Sequence, residues 1–200
     1  MLRDLLFTPR CIGCATLGTH VCVKCTAELM PQSFHISDGR YSCHCVGAYD
    51  GWLRDAIIRY KSGARSTVFG LALAAAAHVP LGGTIVPIPS SAAKIHERGY
   101  DTMGLLSRQI AKLRPDVEVQ PVLRVMRPVV DQVGLNARER RANVAGAFRS
   151  AAGLSGRIVL IDDVITTGAT MSEGMRAAEL AGAKEVFGFS LCAGANRGYL

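Results

Sequence analysis

The stretch RIVLIDDVITTGATMSEGM, residues 157–175, decides the fold. An apolar run over 158–161 leads directly into two adjacent carboxylates, Asp162 and Asp163, and then into the loop Thr166, Thr167, Gly168, Ala169 and Thr170. A continuous run of Ile, Val and Leu is what a central parallel strand buried on both faces requires. In open α/β sheets the ligand crevice lies beyond the carboxyl ends of the strands, so this strand would end at the mouth of a site with its acid pair delivered there. Two neighbouring carboxylates are costly to bury unless polar or cationic groups answer them, and ribose hydroxyls, a magnesium ion, or both, would do so. The loop precedes a helix whose start spells a capping box, Thr170 with Glu173. Backbone N–H groups at a helix N-terminus, with hydroxyls beside them and a glycine free to take positive φ, form a cradle for a phosphate. A phosphate next to a diol-binding acid pair describes a ribose 5-phosphate. An ordinary strand, turn and capped helix would account for shorter pieces of the stretch but not for all of 159–171.

Outward from this stretch, helix and strand patterns alternate as in an α/β domain with a parallel sheet. GWLRDAIIRYKSG, 51–63, places Leu53, Ala56, Ile57 and Tyr60 at i, i+3, i+4 and i+7, an amphipathic helix stopped by Gly63. TIVPIPSS, 84–91, reads as a short buried strand brought to an end by Pro87 and Pro89. DTMGLLSRQIAKL, 101–113, sets Met103, Leu106, Ile110 and Leu113 on one helical face. A strand is expected within 116–123, a helix over about 171–181, and a last strand over EVFGFSLCAG, 185–194.

Six of the seven cysteines lie before residue 46, and the seventh is Cys192. Clustered cysteines in a chain with no secretion signal point to metal or redox chemistry rather than to a disulfide scaffold. CIGCATLGTHVCVKC, 11–25, holds two Cys-x2-Cys pairs. Thiolates two residues apart face one ion from a tight knuckle turn, and two such pairs supply the tetrahedral ligands of a structural zinc. Cys11, Cys14, Cys22 and Cys25 are therefore the expected zinc ligands. Cys43 and Cys45 offer two more thiols nearby, and His20 lies inside the knuckle, although a lone loop histidine is ordinarily a surface residue. Cys192, in an apolar strand, is expected to pack. The composition divides the chain near Gly47 into a cysteine-rich module, 1–46, and an α/β domain, 47–200.

A chain of 200 residues, 49% of them apolar, is enough for one substantial core and a small appendage. The net charge of +7, from 23 Lys+Arg against 16 Asp+Glu, favours anionic partners such as phosphates, nucleotides or nucleic acid. The longest greasy stretch, 68–77, falls well short of the ~20 residues of a membrane span, and the N-terminus lacks the apolar core of a signal peptide. A soluble, cytoplasmic protein with no membrane insertion is the expectation. The sequence holds no Ser/His/Asp arrangement and no Walker-type phosphate loop.

The order of these motifs resembles the type I phosphoribosyltransferases, which bind 5-phosphoribosyl 1-diphosphate (PRPP). The resemblance rests on the apolar run, Asp162 and Asp163, and Thr-Gly-Ala-Thr at 167–170. VPIPSSAAKIHERGYD, 86–101, is similar to the diphosphate-loop region, and Arg98, Gly99 and Tyr100 match the Arg-Gly-aromatic spelling of the ComF branch. ComF relatives usually continue with Asn and Gln, where this chain has Asp101 and Thr102. DQVGLNARERRANVAGAF, 131–148, also looks like ComF, with Gln132, Leu135, Arg140, Asn143, Gly146 and Phe148 at the expected spacing. Together with the four-cysteine N-terminus, the resemblance covers nearly the whole chain, which is identified as a member of the ComF family of competence-associated phosphoribosyltransferase-like proteins.

This resemblance implies a central, mostly parallel sheet flanked by helices, with a small four-cysteine zinc module before it. It implies that Asp162 and Asp163 hold the ribose 2′ and 3′ hydroxyls, that Thr166, Thr167, Gly168, Ala169 and Thr170 hold the 5′-phosphate, and that Pro89, Ser90 and Ser91, with Arg98, receive the magnesium-bound diphosphate. Arg140 belongs to an arginine-rich segment, about 124–148, read as a loop closing over PRPP, with a solvated helix face or a nucleic-acid contact as the competing accounts of its charge. The implied activity is transfer of phosphoribosyl from magnesium-PRPP to a nitrogen acceptor that the signature does not name. Tyr49, Trp52 and Tyr60 are candidates for stacking on a base, with Tyr60 at core spacing. The alternative is a protein that binds single-stranded DNA or senses PRPP without turnover, since ComF relatives are linked to DNA uptake in natural transformation. A homodimer or a partner in the competence machinery is compatible with either.

Overall fold

The computed structural model describes residues 8–37, 39–127 and 136–194, without the side chains of Ala137 and Arg138. Gln132 and Leu135, and with them the middle of the arginine-rich segment, lie outside the described residues. In chain order the elements are α1 (Val23–Ala27), β1 (Gln32–Ile36), β2 (Tyr41–Ala48), α2 (Gly51–Lys61), a 3-10 turn (Arg65–Thr67), α3 (Val68–Ala76), β3 (Gly83–Pro87), α4 (Ala92–Arg98) and α5 (Thr102–Leu113). They continue with β4 (Val117–Val119), β5 (Leu123–Val125), α6 (Ala137–Val144), β6 (Phe148–Ser150), β7 (Arg157–Ile165), α7 (Ala169–Leu180) and β8 (Glu185–Ala193).

Six strands form one sheet in the order β1-β2-β8-β7-β3-β4, and β5 with β6 makes a separate two-stranded ribbon. Every neighbouring pair in the large sheet is parallel except β1 with β2. The expected α/β class with a mostly parallel central sheet is therefore present. Gly47, where the composition changes, lies within β2, so residues 32–46 hydrogen-bond into the same sheet as the rest of the chain.

Two apolar layers sandwich the sheet. On one face α2, α3 and α5 bury Leu53, Ala56, Ile57 and Tyr60, then Leu71, then Met103, Leu106 and Ile110, against Val159, Ile161 and Phe189. The helical spacings in the sequence select these faces because side chains three and four apart share one side of a helix. On the other face α7 and the small ribbon bury Met171, Met175, Leu123 and Phe148 against Ile158, Leu160 and Val86. α7 lies close to the strands because Gly174 carries no side chain: a Cβ there would stand 2.5 Å from Ile88 Cδ1 and 2.7 Å from Leu160 Cδ2.

Three local expectations are corrected. β7 does not end at the acid pair; it continues to Ile165, pairing Asp162 with Ser190 and Ile165 with Ala193 of β8. Its other neighbour, β3, pairs no further than Pro87 with Ile161, so the acids lie beyond the end of one adjacent strand while still held by the other. Val159 and Ile161 pack on the α2 face, and Ile158 and Leu160 on the α7 face. Beyond the acids Val164 packs on the α2 face and Ile165 on the α7 face, so the alternation slips by one residue across this segment. The strand expected within 116–123 is divided: Gln120 still donates its N–H to Ile85 O at 2.9 Å, but Pro121 has no N–H with which to continue the ladder. The capping box at Thr170 is absent, because Gly168 takes a left-handed conformation (φ 77) as N-cap and starts the helix at Ala169. Glu173 instead accepts from Arg176 at 2.7 Å, and the capping box the chain does form is Asn136 with Glu139 on α6.

Candidate functional site

Asp162, Val164, Ile165 and Thr166, Thr167, Gly168, Ala169, Thr170 and Met171 line one open pocket of about 220 Å³, counted with its mouth. The strand end and the helix start thus build a single concavity, as the continuous motif suggests. Asp162 Oδ1 accepts from the Asp163 N–H at 2.8 Å, while Asp163 Oδ1 accepts from Lys61 Nζ at 2.8 Å. The two carboxylates therefore have different partners. Burial and the charge of Asp163 push the Asp162 carboxyl up to about 7, against the Asp163 N–H and the Lys61 and Lys94 charges that pull it down. On the loop, Thr167 Oγ1 accepts from the Ala169 N–H at 3.5 Å.

Arg140, from α6, reaches the same loop: its Nη1 donates to Thr166 Oγ1 at 3.5 Å, and its Nε is buried without a hydrogen-bond partner. Such an orphaned donor costs about 1–3 kcal/mol unless an acceptor meets it. Pro89, Ser90 and Ser91 follow β3, where the Ile88 N–H donates to Ile161 O at 2.9 Å, so the loop leaves the sheet beside the acid pair. Ser91 Oγ accepts from the Lys94 N–H at 3.3 Å and caps α4. Arg98 ends α4, where its charge is felt at Tyr100, over whose ring Arg65 also lies at 5.0 Å. The four residues of the expected diphosphate site, Pro89, Ser90, Ser91 and Arg98, do not line the pocket of Asp162 and the Thr/Gly loop.

The other cluster lies in the N-terminal knuckle. The Sγ atoms of Cys11, Cys14, Cys22 and Cys25 lie within 4.8 Å of one another. Four thiolates about 2.3 Å from one ion would need only small adjustments from this arrangement, so the set can hold a tetrahedral metal. The Cys22 N–H points at Cys11 Sγ (3.4 Å) and the Cys25 N–H at Cys22 Sγ (3.5 Å), backbone donors that favour thiolates. The Thr16 hydroxyl and N–H, with the Cys22 thiol, pull Cys14 down to about 6, whereas burial pushes Cys25 up. Cys43 and Cys45 are buried in β2 and lie outside this group, as does His20, whose ring meets Phe69 edge-on at 4.5 Å.

The aromatic candidates each have partners within the chain. Tyr60 is buried and its hydroxyl donates to Thr102 O at 2.7 Å. Trp52 Nε1 donates to Cys25 O at 3.2 Å, and Arg59 donates to the Ile12 carbonyl, so α2 carries the knuckle. Tyr49 is half-buried beneath Arg54. Cys192 packs in the core, where burial raises its thiol. The residue that sequence reasoning missed is Lys61. It reads as the solvated end of an amphipathic helix, and no spacing relates it to β7. Only the unanswered cost of two adjacent carboxylates hinted that such a cation must exist.

No protein-family model matches the chain. Over 106 residues, 51% of the chain, it is 31% identical to competence protein F of Haemophilus influenzae, across 46% of that protein. About half of the chain is thus similar to a competence protein. It is also 35% identical over 97 residues to the DNA utilization protein YhgH of Salmonella typhi, with 48% of this chain and 42% of that protein matched. The chain thus matches less than half the length of these curated relatives. Among solved structures, orotate phosphoribosyltransferase from Aeropyrum pernix aligns over 86% of this chain and 78% of its own, at 16% identity and a TM-score of 0.36. Among the described residues no helix is long and apolar enough to cross a membrane.

Proposed function

We propose that this chain is a ComF-family protein that binds magnesium-PRPP at the carboxyl edge of β7 and β3 and transfers its phosphoribosyl group to a nitrogen acceptor. The observation that carries the reading is one pocket lined both by Asp162 and by the Thr/Gly loop at the start of α7. Hydroxyl donors of a ribose suit the Asp162 and Asp163 carboxylates, and a 5′-phosphate suits the Thr166–Thr170 loop at the start of α7. A phosphate oxygen would also supply the acceptor that the buried Arg140 Nε lacks. Pro89, Ser90 and Ser91, with Arg98, would take the diphosphate from the neighbouring strand end. Magnesium, when bound, neutralises charge on the departing diphosphate. As that bond breaks, positive charge grows on the sugar, and the two carboxylates stabilise the transition state more than the ground state.

The knuckle inside residues 1–46 is proposed to hold zinc on Cys11, Cys14, Cys22 and Cys25, as a structural element beside the phosphoribosyl site within 47–200. A homodimer, a competence-machinery partner and a cytoplasmic, thiol-preserving location belong to the same reading. A second reading, single-stranded DNA binding, is favoured by the net charge of +7 and by the DNA utilization relatives. Charge-driven DNA binding would weaken steeply with salt.

Calorimetric titration of PRPP with magnesium into the metal-loaded protein, beside the double variant Asp162→Asn, Asp163→Asn, tests the first reading. Saturable binding that the variant loses is the expected result. A well-folded wild type that binds no PRPP but retains single-stranded DNA in a salt-sensitive manner would replace it with the second.

A further inference from the structure

Lys61 is the last residue of α2, and its ammonium meets Asp163 Oδ1 at 2.8 Å with the two side chains 30% and 19% exposed. The pair is thus neither a loose surface bridge nor a sealed core pair, and its partners can separate without burying an unanswered charge. The backbone beneath it is pinned. Tyr60 donates its hydroxyl to Thr102 O, and its own carbonyl accepts from the Tyr100 hydroxyl. Lys61 therefore starts from a fixed point beside the Arg98, Gly99, Tyr100 turn, while its four-carbon stem can swing the ammonium through several ångströms. Lys94, which follows the Pro89, Ser90, Ser91 loop, is the second cation felt at Asp162. A cation and two carboxylates thus share the edge where β3 ends beside β7.

A bare acid pair attracts a divalent cation, but here one carboxylate is already answered by Lys61. A ligand that brings hydroxyls and a diphosphate alters both halves of that bridge. Its hydroxyls can take the Asp163 oxygens, and its diphosphate presents Lys61 with a more highly charged partner.

We propose that Lys61 is a diphosphate-binding residue held on Asp163 in the empty site, and that it shifts to the diphosphate as the ribose hydroxyls replace it on the carboxylate. The inference rests on the PRPP reading above and extends it to an α2 residue. The exchange is one of hydrogen-bond partners only.

The test compares two ligands, PRPP and ribose 5-phosphate, each titrated with magnesium into wild type, Lys61→Met and Lys61→Arg. Melting temperatures confirm folding, and Lys61→Gln replaces Lys61→Met if the latter melts early. Lys61→Met is expected to weaken PRPP roughly tenfold or more, since it removes a charge-assisted contact. It should leave ribose 5-phosphate unchanged or tighter, because Asp163 loses its competitor. Lys61→Arg should recover most of the PRPP affinity. Equal weakening of both ligands would assign Lys61 to holding Asp163 in place, and no change in either would make the bridge incidental. Both results overturn the inference and leave the PRPP reading standing. A wild type that binds neither ligand overturns that reading and the inference with it.

Discussion

The four-cysteine knuckle and the carboxyl edge of β7 both gather polar atoms at a point, by opposite means. The knuckle takes its sulfurs from residues 11–25, and the backbone N–H groups that orient them belong to the same short segment. The edge joins Asp163 to Lys61, 102 positions earlier, and the Thr166 loop to Arg140 on another helix. One is assembled by local turns, the other only once the sheet has formed. They are not independent, however. α2 grips the knuckle through Trp52 and Arg59 and presents Lys61 to the edge. Four substitutions would break or sharpen this contrast.

The largest effect is expected from Cys25→Ser, which removes a sulfur that is 3% exposed and leaves three candidate ligands. Metal content should fall below half an equivalent, with a loss of roughly 3 kcal/mol or more, read by metal analysis and by melting with and without a chelator. Full metal content in the variant would place the ion elsewhere. Gly168→Val comes next, since its φ of 77 disfavours a side chain and a Cβ would stand 2.9 Å from Ile36 Cγ2. A cost of about 2–3 kcal/mol is expected from left-handed strain and crowding, with knuckle metal retained. Loss of metal in this variant would erase the distinction between the two regions.

Asp162→Asn should act with the opposite sign. In the folded protein the Asp162 carboxyl is raised to about 7 from its ordinary value of 3.8. Its contribution to stability is therefore full below about pH 4 and is lost as pH rises through about 7. Asn carries no charge at any pH, so the variant should melt higher than wild type at pH 8, by on the order of 2 kcal/mol, with the advantage shrinking toward pH 5. A pH-independent difference would mean that the carboxylate is not desolvated. The smallest effect is expected for His20→Ala, which removes an edge-on contact with Phe69 but no ligand. It should cost about 0.5–1 kcal/mol with metal content unchanged; a fall in metal would add His20 to the site.

Several features were legible because they depend on neighbours in the chain. The Cys-x2-Cys pairs, the α2 face of Leu53, Ala56, Ile57 and Tyr60, and the run from Ile158 into the acids each follow from a spacing of a few residues. Where the reading slipped, a tertiary contact had outweighed a local rule. β7 passes through its acids because β8 continues to pair with it after β3 has stopped. α7 starts at Ala169 because Gly168 turns left-handed against Ile36, which leaves Thr170 no role as a cap. Tyr60 is buried, as its core spacing implies, and its hydroxyl and the Trp52 N–H are committed to Thr102 and Cys25.

The sequence by itself determined the alternation of elements, the buried central strand, the acid pair with its Thr/Gly loop, and a sulfur cluster able to hold a metal, since periodicity and ligand spacing act over one or two turns of chain. Only the tertiary structure decided which cation answers which acid. Asp163 meets Lys61 and the Thr166 hydroxyl meets Arg140 because α2 and α6 bring their cations to this edge, and a half-buried cation takes the nearest acceptor in space, whatever its distance along the chain.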